Sequence, residues 1–350
     1  MTTYWWQAAT HPLNAQAQAD ALARQNVLTK PTGALGELEN IAVRLAAMQA
    51  KTCPQLNKPW ISIFAADHGI AAVGVSAYPQ AVTAQMVANF ATGGAAICVL
   101  SQHIGAQFEV IDVGVASDTR EFPGVIQAKQ VNGTANFLEQ PAMSLSTLEQ
   151  ALLAGKAAVE RALASGADCF IGGEMGIGNT TSASALASVW LDLPPSATTG
   201  AGTGLDAPAI TRKALLIAEA LQRHHQHAHS DVNILAALGG CEIVALAGAY
   251  IAAAQAGLPV LVDGFISSVA ALAATRLNAG VADWLFFGHV SAEQAHKHVL
   301  AALNATPLLQ LNMRLGEGSG AASAFPILQM ACALHSRMAT FAEAVVSNRA

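Results

Sequence analysis

Short apolar runs rich in strand formers alternate along the chain with longer, Ala-rich stretches of helical period. The first kind predicts strands at WISIFAAD (60–67), FEVIDVG (108–114), DCFIGG (168–173), ILAAL (234–238), PVLVDG (259–264) and DWLFFGH (283–289). The second predicts helices over Val82–Phe90, Leu145–Ala164, Thr180–Leu191, Ala207–Arg223, Glu242–Gln255 and Ser291–Leu303. Strand then helix, repeated, is the signature of βαβ units, so the expected class is α/β: a mainly parallel sheet with helices on both faces. Ile243–Val262 carries no charge and is long enough to cross a bilayer. Its Ala and Gly content and the break at Pro259 predict instead a buried helix leading into the strand PVLV.

The ends follow a different pattern. Residues 13–50 give two helical stretches broken at LTKPTGALGELE, where Pro31 and Gly33 mark a turn. Residues 319–346 are helical again with no strand between. The expected division is therefore an α/β domain over 55–310, with 1–54 and 311–350 joining as a small helical subdomain.

Composition narrows the class. Of 350 residues, 53% are hydrophobic but 5% aromatic, with 29 glycines and 11% charged. Small apolar side chains imply close backbone packing, and so little charge implies an apolar face covered by a second copy. The net charge of −6 with no basic cluster argues against nucleic acid as a partner. The five cysteines (Cys53, Cys98, Cys169, Cys241, Cys332) form no CxxC pair and read as buried thiols of a reducing compartment. The start, MTTYWWQAATHPL, lacks a basic segment followed by an apolar one, which points to the cytoplasm and no stable membrane span.

Several predicted strands finish on polar or glycine residues: Asp67-His68-Gly69, Asp112-Val113-Gly114, Gly173-Glu174, Asp263-Gly264 and Gly288-His289. Ligands of open α/β sheets bind outside the carboxyl ends of the strands, so these form a candidate rim. His68 and His289 read as strand-end polar residues rather than metal ligands. HHQHAH (His224, His225, His227, His229) follows a helix end without carboxylate partners and reads as an exposed linker.

Three Gly-rich loops carry candidate chemistry. In IGGEMGIGNTTSASAL (171–186), Gly173, Gly178 and Thr180 match P-loop spacing, with Asn179 in the lysine position. Amides of such a turn at a helix start suit an anion, and the missing lysine favours a monophosphate over ATP. A plain strand–helix turn capped by Asn and Thr explains the segment equally well. In TGAGTGLD (199–206), Gly200, Gly202 and Gly204 precede a helix with Asp206 as its cap, and Lys213 is either an anion ligand or a solvated surface residue. In LNMRLGEGSGAASAF (311–325), Ser319 is placed to cap a helix starting near Gly320. Glu317 there is either a capping carboxylate or, stripped of cover by its glycines, a general base with a raised pKa.

Seven segments, LTKPTGALGELE (28–39), AADHGIAAVGVSAYPQAVTAQMVANFATGGAAI (65–97), GGEMGIGNTTSA (172–183), TGAGTGLD (199–206), LGGCEIVALAGA (238–249), VDGFISSVAAL (262–272) and MRLGEGSGA (313–321), occur in this order. Together they resemble the nicotinate-nucleotide–dimethylbenzimidazole phosphoribosyltransferase family of cobalamin nucleotide-loop assembly, over nearly the whole chain. The resemblance implies transfer of phosphoribose from nicotinate mononucleotide to 5,6-dimethylbenzimidazole, giving α-ribazole 5′-phosphate and nicotinate. It also implies a Rossmann-like sheet with a small helical domain, a homodimer, and neither metal nor cofactor. By the same resemblance Glu317 is the catalytic base, on a loop of the helical subdomain, with Glu174 as a possible second carboxylate. Gly176, Gly178, Asn179, Thr180, Gly202, Gly204 and Lys213 are assigned to phosphate and ribose, and Ser76, Gln80, Gln85, Met86 and Leu315 to the base pocket. Two other classes share part of the pattern. A dinucleotide-dependent oxidoreductase would carry GxGxxG after its first strand, where this chain has HGIAAVG; a nucleotide sensor would have little use for Glu317.

Overall fold

A computed structural model describes residues 4–225 and 230–347. Seven parallel strands form one sheet in the order β3-β2-β1-β4-β5-β6-β7. They are β1 (Pro59–Ala66), β2 (Gln107–Gly114), β3 (Val125–Gln127), β4 (Cys169–Met175), β5 (Val260–Val262), β6 (Leu285–His289) and β7 (Pro307–Leu309). The order reverses between β1 and β4, which pair in register from Pro59↔Cys169 to Ala65↔Met175. β1 is buried along its whole length, as a strand covered on both faces must be.

Thirteen helices are described: α1 (Ala15–Gln25), α2 (Glu37–Gln49), α3 (Val82–Ala91), α4 (Ala96–His103), α5 (Leu145–Ala164), α6 (Asn179–Leu191), α7 (Pro195–Thr198), α8 (Ala207–His224), α9 (Asp231–Leu238), α10 (Cys241–Ala256), α11 (Phe265–Leu277), α12 (His296–Ala302) and α13 (Ser319–Arg337). α10 carries one charge, Glu242, and is buried on all sides, as an all-round apolar helix should be. It can lie against α5 because Gly155 of α5 sits directly on the Ala245 carbonyl, where a Cβ would collide with backbone. The uncharged run at 243–262 is thus the helix-then-strand that its composition predicts. Among the described residues only Val82–His103 is long and apolar enough to cross a membrane. The chain turns at 92–95 and splits this stretch into α3 and α4.

Some elements differ from the sequence expectation. ILAAL belongs to helix α9, not to a strand; Ser230 caps that helix through Asn233 N at 3.2 Å, and five apolar residues have no period of their own to oppose the cap. β3 and β7, three residues each, carry too short a pattern to be foreseen, and α4 and α11 were likewise not predicted. The helix expected over Ser291–Leu303 shrinks to α12. His224 is no linker residue: it ends α8, buried, with Nε2 2.7 Å from the Phe137 carbonyl. His227 and His229 lie outside the described residues.

At the chain ends α1 packs on α2 and α2 on α13. Arg24 donates to the His335 carbonyl at 2.8 Å, and Leu28 bridges to Thr340. α13 also lies against β6 and α4.

Candidate active site

The carboxyl ends of β4, β5 and β6 open into a cleft of about 540 Å³. Each strand brings one titratable side chain to it: Glu174, Asp263 and His289. The loop before α13 closes one wall with Arg314, Leu315, Gly316 and Glu317, and α3 adds Val82 and Met86.

Glu317 is held in an unusual backbone. Gly316, Glu317 and Gly318 take φ values of 82°, 63° and 76°, three left-handed residues in succession, the middle one not glycine. Such strain persists only where the surroundings enforce it. Here they do: a Cβ on Gly173 of β4 would lie 2.6 Å from the Glu317 carbonyl carbon and oxygen, so the turn is pressed onto that strand. The Glu317 side chain is 5% exposed, and its Oε2 has no hydrogen-bond partner among the described residues. Burial, opposed by the Ile97 amide and reinforced by the Asp263 charge, lifts its carboxyl to about 7. It does not cap α13. Nor does Ser319, which is the first residue of the helix and turns its hydroxyl back to the Gly316 carbonyl at 2.7 Å.

Glu174 is buried too. Desolvation, and then repulsion from Glu242, Asp263 and Glu317, push it to about 8. Its Oε2 takes a short hydrogen bond from Asn179, so the residue in the P-loop lysine position is committed to a carboxylate. Behind the cleft wall, Lys213 is 1% exposed, not a solvated surface lysine. It donates to Thr180 Oγ1 at 2.7 Å beside Gly202, and desolvation lowers it to about 8 against the opposing charge of Glu293. Asp206 caps α8 through Ala209 N at 3.0 Å, as its position before the helix predicts.

Of the residues singled out from the sequence, Glu317, Glu174, Gly176, Asn179, Thr180, Gly202, Met86 and Leu315 line the cleft. Six do not. Lys213 stands behind Thr180. Gly178, with φ of 98°, is the left-handed N-cap of α6 and packs on His68 and Ala71. Gly204 (φ 114°) has open space around it. Ser76 reaches the cleft indirectly through Thr203, at 3.0 Å. Gln80 turns toward Asp67, and Gln85 is exposed on α3. Arg314, Asp263, His289, Ser291, Glu293 and Tyr78 also line it and were not singled out as ligands. Asp263 and His289 were visible as strand-end polar residues, and Arg314 stands inside the MRLGEGSGA segment. Ser291 and Glu293 had no signal, lying in a loop read as helix.

Beneath the Gly176–Gly178 turn, His68 is fully buried between Glu242 Oε1 (2.7 Å from Nε2) and Ser182 Oγ (3.0 Å from Nδ1). Burial opposes its charge, yet Glu242 holds its pKa above the usual value. No group of three or more His, Cys, Asp or Glu side chains among the described residues is arranged to hold a metal ion.

Comparison with known proteins gives the family. A family model described as phosphoribosyltransferase (DBI_PRT) matches residues 10–346. A nicotinate-nucleotide–dimethylbenzimidazole phosphoribosyltransferase of Azotobacter vinelandii is 56% identical over 98% of both chains. One from Pseudomonas fluorescens is 54% identical over 100% of this chain and 99% of its own. The crystal structure of CobT from Thermus thermophilus superposes with a TM-score of 0.92 at 46% identity, covering 95% of this chain and 100% of that one. The chain, an enzyme that transfers a phosphoribosyl group, belongs to the phosphoribosyltransferase family that the seven ordered motifs resemble.

Proposed function

We propose that the enzyme transfers the phosphoribosyl group of nicotinate mononucleotide to 5,6-dimethylbenzimidazole, yielding α-ribazole 5′-phosphate and nicotinate, with Glu317 as general base. The names of its relatives supply the substrates; the Glu317 carboxylate, buried at the cleft wall with one oxygen unpartnered, carries the mechanism.

The chemistry asks little else of the protein. Nicotinate bonded through a cationic ring nitrogen departs as a neutral pyridine and needs no proton. The acceptor attacks C1′ through its unprotonated nitrogen, and the N–H proton on its other nitrogen passes to Glu317. Attack on the face opposite the leaving group inverts the β-nucleotide to an α-product in one displacement. A carboxyl raised to about 7 is matched to that transfer near neutral pH. The remaining task is alignment. The start of α6 with Gly176 and Thr180, the Gly202 turn backed by Lys213, and Arg314 suit the phosphate; Val82, Met86 and Leu315 offer an apolar wall to a flat base. A phosphate dianion would restore the full charge of Lys213.

The enzyme in this reading is a cytoplasmic homodimer. Low charge and large exposed apolar side chains such as Val99 and Leu215 favour a covered face. The helices of the two chain ends form its small subdomain, residues 1–54 with 311–350, against the α/β domain of 55–310.

Incubation with nicotinate mononucleotide and 5,6-dimethylbenzimidazole should release nicotinate and an α-linked ribotide in equal amounts, resolved by chromatography and NMR. Nicotinate release independent of the base, or a β-linked product, would overturn the proposal.

A further inference from the structure

α13 begins directly after the left-handed turn that carries Glu317, and it starts without a side-chain cap of its own. Its N-cap is Gly318, and no side chain of the turn accepts from the first-turn amides. An acceptor comes from the sheet instead. Asp263, at the carboxyl end of β5, accepts from Ala321 N at 2.8 Å, from the Gly320 amide, and from the amide of its neighbour Gly264. Burial raises the carboxyl above its usual value, and the charge of His289 and these amides oppose that shift, favouring the ionised form. Two of the amides lie at the positive end of a 19-residue helix.

The same turn is pressed against β6. A Cβ on Gly288 would lie 2.7 Å from Ala321 Cα, and Gly320 lies on the His289 ring. Contact with β6 therefore limits the approach of α13, and the bond to β5 holds its first residues down. Glu317 is two residues upstream of the helix, with no side-chain hydrogen bond of its own to orient it at Oε2.

We propose that Asp263 is a positioning residue, which by tying the first turn of α13 to the end of β5 sets where the Glu317 carboxylate lies in the cleft. The inference rests on Glu317 being the general base. Asp263 also acts on that base through its charge. Glu317 faces Asp263 from β5, Glu174 from β4, and the Ile97 amide and Cys98 thiol of α4. Asp263 in turn faces His289 of β6, whose Nε2 is 3.7 Å from Oδ1, with Glu174 and the Tyr250 hydroxyl of α10. Asp263 helps hold Glu317 above the usual carboxylate range, so neutralising it lets Glu317 ionise at lower pH.

The test compares Asp263→Asn, Asp263→Ala and Glu317→Gln with wild type in the full chain. For each, kcat and KM for nicotinate mononucleotide and 5,6-dimethylbenzimidazole are measured between pH 5 and 9. Asp263→Asn keeps shape and an acceptor oxygen but loses the charge; its acid limb in kcat should move to lower pH, and its plateau should fall on the order of tenfold. Asp263→Ala releases the helix start and should lose roughly 100-fold in kcat, with KM values within a few-fold of wild type. If the Ala variant does not fold, the Asn profile decides alone. An Asn variant with the wild-type plateau and limb sinks the proposal, as does one that raises KM for the nucleotide while kcat is kept. If Glu317→Gln retains wild-type rates, the general-base reading fails first. An inactive Glu317→Gln beside a wild-type-like Asp263→Asn removes only the role of Asp263.

Discussion

At the β1–β2 side of the sheet, the strand-end acids fasten the chain. Asp112 Oδ1 accepts from Gly114 N at 3.0 Å and Val115 N at 2.8 Å, and Oδ2 accepts from Thr119 and faces Lys129 at 3.3 Å. Asp67 Oδ2 accepts from Ala116 N at 2.8 Å, although its Oδ1 lacks a partner among the described residues and burial raises its carboxyl. At the β4–β6 side the acids crowd one another. Glu174 has Asn179 as its side-chain donor, Glu317 leaves an oxygen unpartnered, and repulsion among Glu174, Asp263 and Glu317 adds to the effect of burial. What differs between Asp112 and the pair Glu174 and Glu317 is whether donors or other acids surround them; Asp263, which accepts from backbone amides yet faces both glutamates, stands between the two cases. Buried acids without matching donors oppose folding, so a chain that keeps several together is using them.

The sharpest way to break that contrast is Glu317→Gln. It keeps shape but accepts no proton, and the rate should fall on the order of 10²–10⁴-fold. Nucleotide affinity should change little, because the proposed function places phosphate and ribose on other residues. In wild type the single-turnover rate should climb with pH through about 7 as Glu317 ionises. A folded Gln variant within a few-fold of wild type would leave the two sides of the rim functionally alike.

A smaller effect separates two glycines, Gly173 in β4 and Gly178 at the start of α6. Gly173→Ala places a methyl against the Glu317 carbonyl and displaces the base, which should cost about 100-fold in rate. Gly178→Ala meets no atom closer than 3.3 Å but must hold φ near 98°, a strain of about 1–2 kcal/mol. Its melting temperature should drop while the folded enzyme keeps a rate within a few-fold of wild type. Reversal of the two phenotypes would put the phosphate at Gly178, where P-loop spacing pointed.

Much of this was legible beforehand. β1, β2, β4 and α5 announce themselves because an apolar run or a helical stripe persists for seven residues or more. Of the strand-end residues marked in the sequence, Glu174, Asp263 and His289 line the cleft while Asp67 and Asp112 do not, and the GEG loop brings Glu317 to its wall. Other features depend on neighbours distant in sequence. Spacing around Lys213 could not show that Thr180 and the Gly202 turn cover it. Nothing around Gly178 shows that it faces His68 rather than the cleft. ILAAL looks like a strand until Ser230 is seen capping it.

On the fastening side, Asp112→Ala strands two backbone amides and leaves the Thr119 hydroxyl with Gln127 alone. Its cost should be about 2–4 kcal/mol of stability, read from the urea midpoint, with the rate per folded molecule unchanged. A rate loss without a stability loss would place Asp112 in the chemistry and blur the comparison.

The smallest effect tests the other side of the same contrast through stability rather than rate. Glu174 and Glu317 are raised in the folded protein to about 8 and about 7, from an ordinary 4.5. Between those values the folded state binds protons that the unfolded chain has released. Their contribution is therefore fully present below pH 4.5 and is lost as pH rises through 7 to 8. The double variant Glu174→Gln, Glu317→Gln is neutral at every pH and has no such protons to lose. Relative to wild type, its melting temperature should rise from pH 5 to pH 8, by on the order of a few degrees. Other buried groups titrate in both proteins, so the difference between the curves, not either curve alone, isolates these two. Parallel curves across that range would mean that the β4–β6 acids are as well met by donors as Asp112, and that the crowding carries no cost for the base to exploit.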